Sequence, residues 1–185
     1  LITSSAASDV YKRQVLATGQ RGKMRDLGVP GEDAPFVTSR YDQPADFAGE
    51  RIVVVGGGRS GDWAATELHD AGKQVYYTMR QRPEVHWQLI EDSRNGLPYY
   101  TRIAEIIETR SPRLQTLYHT RIAAIDTNGQ IELETPEGQR VIEVDHVIKE
   151  IGGIADYSIL KGFGPLQFEP MRDNYPVSYT HLRAH

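Results

Sequence analysis

Three features in a fixed order between Arg51 and Leu68 constrain this chain more than anything else in it. The apolar run Ile52-Val-Val-Val55 leads directly into Gly56-x-Gly58-x-x-Gly61, and a stretch with helical periodicity follows. Strand, glycine turn and helix is the context in which such a fingerprint signals a dinucleotide site. Gly56 permits the tight turn, and Gly58 lets the backbone approach a pyrophosphate without an intervening Cβ. Gly61 lets helix and strand lie close together. Gly57, Arg59 and Ser60 complete the candidate phosphate loop, which faces the positive end of the helix. Ser60 also reads as an N-cap, and Arg59 as an exposed charge. The competing account of the whole stretch is a glycine-rich turn in an ordinary α/β crossover.

The surrounding pattern predicts an α/β fold. A helix is expected over about 60–70, with Ala64, Ala65 and Leu68 on its apolar face and Ala71-Gly72 closing it. A second strand, 74–79, completes a right-handed βαβ unit. Residues 102–110 carry Ile103, Ile106 and Ile107 at helical spacing, and 116–119 reads as a third parallel strand. Three alternating segments, 120–126, 130–135 and 140–144, are separated by Asn128-Gly129 and Glu137-Gly138, both hairpin signals. A Rossmann-type parallel sheet with an inserted antiparallel β-meander is therefore expected, with 145–151 returning as a strand before Gly152-Gly153. Residues 21–46, rich in glycine, proline and charge, read as a connector.

The end of the second strand speaks to cofactor choice. An NAD site places a carboxylate there, to accept from the ribose 2′-hydroxyl. Here the strand ends Thr78-Met-Arg80-Gln-Arg82, and a guanidinium suits a dianionic 2′-phosphate. NADPH is thus expected over NADH, with Arg80 first and Arg82 second as readers of the phosphate. The alternative is that both are solvated surface charges, with Glu84 near enough to pair with one of them.

Composition excludes several classes. A net charge of -4 gives no electrostatic reason to bind nucleic acid or an anionic membrane. No apolar run reaches bilayer length and no secretory signal is evident, so a cytoplasmic protein is expected. With no cysteine, these 185 residues hold no disulfide, thiolate metal site or dithiol redox centre. Residues 1–14 and 176–185 lack any period and resemble translated adapter sequence, so they are set apart as non-native tails.

Taken in order, Val15–Gly19 ending Ala-Thr-Gly, the connector Val29-Pro-Gly-Glu32, the glycine turn, the basic second strand, the meander and Val144-Asp-His-Val-Ile-x-x-Ile-Gly152 resemble the NAD(P)H-binding domain of FAD-dependent pyridine-nucleotide oxidoreductases. The resemblance implies a strand end and connector over 15–49, the NAD(P)H domain over 50–152, and a return toward a flavin domain over 153–175. It implies Gly19 near FAD, Gly152 near the nicotinamide, and hydride passing from NADPH to FAD. It also allows a homodimer for the full-length protein, with a small-molecule or protein electron acceptor that these residues do not identify.

Thioredoxin reductases carry Cys-x-x-Cys before the second glycine motif, whereas this chain reads Val37-Thr-Ser-Arg-Tyr-Asp-Gln-Pro-Ala-Asp-Phe47. Asp46-Phe-Ala-Gly49 and Asp62-Trp-Ala64 look closer to thioredoxin-reductase-like ferredoxin–NADP reductases. Gly56-x-Gly58-x-Ser60-Gly61 also resembles flavin-containing monooxygenases, which rank second, and a non-catalytic nucleotide-binding module is a further alternative. The family's first glycine motif is expected upstream of Val15 and its last flavin segment beyond Tyr175. The chain is accordingly expected to be a fragment that does not retain FAD or turn over alone. No residue is assigned a catalytic role. His119, His146 and Glu150 have no metal-ligand spacing, Asp145 and Glu150 are expected on opposite faces of a strand, and His86-Trp87 is expected in a loop.

Overall fold

Ile52 to Val55 are buried without a break because their strand is covered on both sides, as central parallel strands are. A computed structural model describes residues 22–94 and 98–155, together with 158, 168–169 and 175–176. Its principal sheet has five parallel strands in the spatial order β2 (Val37–Thr38), β9 (His146–Lys149), β3 (Arg51–Val55), β4 (Gln74–Thr78) and β5 (Leu114–Leu117). The expected βαβ unit is present: α1 (Arg59–Asp70) joins β3 to β4, which pair in parallel from Arg51↔Gln74 to Val55↔Thr78.

Alternate residues of β3 feed two separate cores. Ile52 and Val54 pack with Ala64, Ala65 and Leu68 of α1, and with residues of α2 (Pro83–Arg94) and α3 (Pro98–Glu108). Val53 and Val55, with Val147, meet Ile122, Ile131, Leu133 and Ile142 of the meander. The meander lies between β5 and β9 in the chain and forms an antiparallel sheet of its own, β6 (Arg121–Ile125), β7 (Gln130–Thr135) and β8 (Gly138–Glu143). At its first turn the Asp126 carboxylate accepts from the amides of Asn128 and Gln130, both at 2.8 Å, and Gly129 takes a φ of 83°. Helices thus cover one face of the parallel sheet and the meander covers the other.

Several expectations need correcting. Residues 83–94 form a helix, so His86 and Trp87 are not in a loop. Its buried positions include His86, Ile90 and Ser93, and two polar residues on that inner face hide the apolar period. The helix expected from 102 begins at Pro98, and the third strand begins at Leu114. The connector contributes a short edge strand, Val37–Thr38, beside β9. Asp145 and Glu150 flank β9 rather than sharing it. Val15–Gly19 and the two tails, apart from Pro176 at the end of a short strand, lie outside the described residues.

Met24–Gly152 forms one compact unit, and Leu1–Lys23 with Gly153–His185 forms another. Two further pairings are short: β1 (Gly22–Met24) with β10 (Gly153–Ala155), and β11 (Phe168–Glu169) with β12 (Tyr175–Pro176). Among the described residues no helix is long and apolar enough to cross a membrane, and no cluster of three or more His, Asp or Glu could hold a metal ion.

Candidate functional site

The C-terminal ends of β3, β4 and β9 meet at Gly56. Its amide donates to the Thr78 carbonyl at 2.9 Å, and the Glu150 amide donates to the Val55 carbonyl at 2.8 Å. Gly56 has a φ of 119°, and a Cβ there would lie 2.3 Å from the Glu150 carbonyl oxygen. Both conformation and space demand glycine at this corner. The turn opens into a cleft of about 870 Å³, at the sheet edge where open α/β folds bind ligands.

Gly58 behaves differently from Gly56. It is the N-cap of α1, in extended conformation with φ −112° and ψ −175°, and has no side-chain cap. A Cβ at Gly58 would meet no protein atom within 4 Å. Neither backbone strain nor packing asks for glycine there. What the missing side chain leaves is space in the cleft, in front of a helix end whose first amides have no intrahelical acceptors.

The expected site residues divide on inspection. Gly56, Gly57, Gly58, Arg59, Ser60, Arg80 and Gly152 line the cleft. Gly61 is buried behind the turn, where its Cβ would lie 1.9 Å from the Gly56 carbonyl oxygen. Ser60 sits inside α1 and is not the N-cap. Arg82 is not part of the lining; its carbonyl instead accepts from the amides of Val85 and His86 at the start of α2. Among the described residues neither Arg59 nor Arg80 is engaged in an ion pair, and Glu84 pairs with neither Arg80 nor Arg82. Gly19 lies outside the described residues.

The cleft also holds residues that the sequence pattern did not single out. Gln81 donates from Nε2 to the Gly57 carbonyl at 2.6 Å, tying the end of β4 to the glycine turn. Arg121 and Glu134 face each other across β6 and β7, with Arg121 Nε 2.6 Å from Glu134 Oε2. A β-bulge between Ile122 and Ala124 shifts the register by one residue, so the Asn128-Gly129 turn by itself would set Arg121 opposite Thr135 rather than Glu134. Glu150 is half-buried in the same cleft, and burial raises its carboxyl above the usual range. Glu32 braces the Leu27–Gly28 part of the lining: it accepts from the amides of Leu27 and Gly28 and from buried Lys149. Burial alone would raise the Glu32 carboxyl, but these donors outweigh it and hold it below the usual range.

Beneath the turn lies a largely buried polar cluster. Asp62 Oδ1 accepts from Tyr77 at 2.9 Å and lies 2.6 Å from His86 Nε2, and His86 Nδ1 lies 3.0 Å from the Tyr118 hydroxyl. Burial, with the nearby charge of Asp62 and Glu84, pushes the Tyr118 phenol up to about 12. With Tyr118 donating to Nδ1, the imidazole proton sits on Nε2 and points at Asp62.

Residues 2–182 match the pyridine nucleotide-disulphide oxidoreductase family. The chain belongs to this family. A ferredoxin–NADP reductase from Ignicoccus hospitalis is 40% identical over 83 residues, which cover 44% of this chain and 27% of that protein. Flavin-containing monooxygenase 5 from Mus musculus is 29% identical over 99 residues, covering 49% of this chain and 17% of its own length. This chain therefore spans less than a third of those two relatives. Among solved structures, a bacillithiol disulfide reductase from Staphylococcus aureus superposes with a TM-score of 0.65 at 23% identity, over 83% of this chain and 44% of that one. A thioredoxin reductase from Streptococcus pyogenes gives 0.53 at 18% identity, over 79% and 46%. The structural likenesses establish a shared fold. Whatever disulfide chemistry the family name denotes, these 185 residues contain no cysteine to supply it.

Proposed function

We propose that this chain is the NADPH-binding portion of a flavin-dependent oxidoreductase that passes hydride from NADPH to FAD. The observation that carries the reading is Gly58, a glycine that its own protein does not need, standing before open space at a helix N-terminus. A pyrophosphate at that place would accept from the first amides of α1, with the helix dipole behind them. The ferredoxin–NADP reductase relative, by its name, supports NADP as the nucleotide.

When bound, the nicotinamide would supply hydride and the flavin would accept it. The chain's own residues would bind and orient. The Gly56–Gly61 turn would hold the pyrophosphate, Arg59 would add positive charge at its edge, and Arg80 would take the 2′-phosphate. Gly152, with φ 79° and in the cleft lining, would border the nicotinamide end. FAD and the electron acceptor belong to the full-length protein in this reading, which is taken as cytoplasmic, independent of nucleic acid and membrane, and capable of dimerising.

Calorimetric titration of the chain with NADPH and with NADH tests the nucleotide assignment. Saturable binding that favours NADPH is expected, and failure to bind either would remove it. In the full-length protein, loss of flavin absorbance on anaerobic mixing with NADPH tests the hydride step. The monooxygenase relative supports a second reading, in which the same residues bind NADPH for an oxygen-inserting flavoenzyme. Oxygen consumption matched to product oxygenation would favour that reading over a reductase.

A further inference from the structure

We propose that Arg121 and Glu134 together read the 2′ position of the adenosine ribose, with Arg121 taking the place that the sequence pattern gives to Arg82. The inference rests on the nucleotide reading of the cleft. Arg121, Glu134 and Arg80 all line it, and Arg82 does not. Two backbone bonds hold the start of β6 beside the end of β4: the Thr120 amide donates to the Met79 carbonyl at 2.9 Å, and the His119 amide to Gln81 at 3.3 Å. Arg121 thus follows a residue bonded to the immediate neighbour of Arg80. The end of β4 is where such folds read the ribose 2′ substituent.

The pair is built to exchange partners. Arg121 Nε donates to Glu134 Oε2 and Nη2 makes its ion-pair contact with the same oxygen, both at 2.6 Å, leaving Oε1 to accept elsewhere. The two side chains are 65% and 41% exposed, so the bridge is weak and easily given up. A 2′-phosphate dianion would draw Arg121 off Glu134 into charge-assisted bonds, alongside Arg80, which has no ion-pair partner among the described residues. A bare 2′-hydroxyl would instead donate to Glu134, the role a carboxylate plays in NAD sites. Glu134 therefore penalises the phosphate and Arg121 rewards it, and the balance of the two sets the cofactor preference.

The test is calorimetric titration of the full chain and its variants with adenosine 2′,5′-bisphosphate and with 5′-AMP. Arg121→Ala is expected to weaken the bisphosphate by about tenfold, the loss of one charged hydrogen bond, and 5′-AMP by less than about twofold. Glu134→Gln is expected to tighten the bisphosphate severalfold. Opposite signs separate charge reading from a merely structural pair, in which both substitutions would lose affinity. Equal losses for the two ligands, or a Glu134→Gln variant weaker than wild type for the bisphosphate, would overturn the proposal while leaving the nucleotide site standing. A wild-type chain that binds neither compound would overturn the nucleotide reading and this inference with it.

Discussion

His86 Nε2 lies 2.6 Å from Asp62 Oδ1 with both side chains fully buried, so a single hydrogen bond fastens α2 to the first turn of α1. Among the described residues Asp62 Oδ2 has no hydrogen-bond partner, which makes the carboxylate dependent on the donors at Oδ1. His86→Leu would leave Tyr77 as the remaining donor to a buried charge. A loss of about 3–5 kcal/mol is expected, the cost of breaking a buried pair from one side. Asp62→Asn keeps an acceptor for both partners and should cost less. Urea denaturation of the two variants checks the ranking, and equal losses would contradict it.

Gly56 and Gly58 are two residues apart and should respond oppositely to alanine. At Gly56 the substitution meets both a left-handed φ and the Glu150 carbonyl, so stability should fall by about 2 kcal/mol or more. At Gly58 the cost to the fold should stay under about 1 kcal/mol, the difference between cap residues. Nucleotide affinity should nonetheless drop by at least about tenfold, because the new methyl fills the ligand's space. Thermal melts and NADPH titration on both variants separate the two effects.

Arg80→Ala should weaken NADPH by about 1–3 kcal/mol, the range for a hydrogen bond to a charged group. NADH should change little. Parallel titration with the two cofactors is the measurement, and equal losses would show that Arg80 does not discriminate between them.

Acid should unfold the chain partly through Asp145. The Arg51 amide, and then the Glu50 amide, each 2.7 Å from Asp145 Oδ2, hold its carboxyl below the ordinary 3.8 despite partial burial. A depressed folded value means the stabilisation is complete above the ordinary value and disappears as pH falls through the folded one. Asp145→Asn should therefore lower stability at pH 7 and flatten the decline below about pH 4. Denaturation midpoints at several pH values between 2 and 7 test this, and an unchanged acid limb would remove Asp145 from the account.

Legibility followed the simplicity of the local rule. The unit β3–α1–β4 could be read because an apolar strand, three glycines and an amphipathic helix all point to one arrangement. The hairpins could be read because Asn128-Gly129 and Glu137-Gly138 each specify a turn by themselves. The helix over 83–94 could not, because its buried face includes His86 and Ser93, whose place inside depends on partners from other elements. The same reason hid Arg121 and Glu134 from the site. Each is an ordinary charged strand residue until hydrogen bonds at Met79 and Gln81 carry β6 to the end of β4.

The position of β9 beside β3 has a consequence for the order in which the molecule assembles. Asp145 and the Arg51 amide it caps are 94 residues apart in the chain. During synthesis β3, α1 and β4 emerge before β9, with one edge of β3 unpaired and its meander-facing residues uncovered. The two hairpins of the meander close over short distances and form fast, whereas the β3–β9 pairing must wait for nearly the whole described chain. The corner at Gly56 that receives the Glu150 carbonyl is thus completed late, by a strand made long after the glycines themselves.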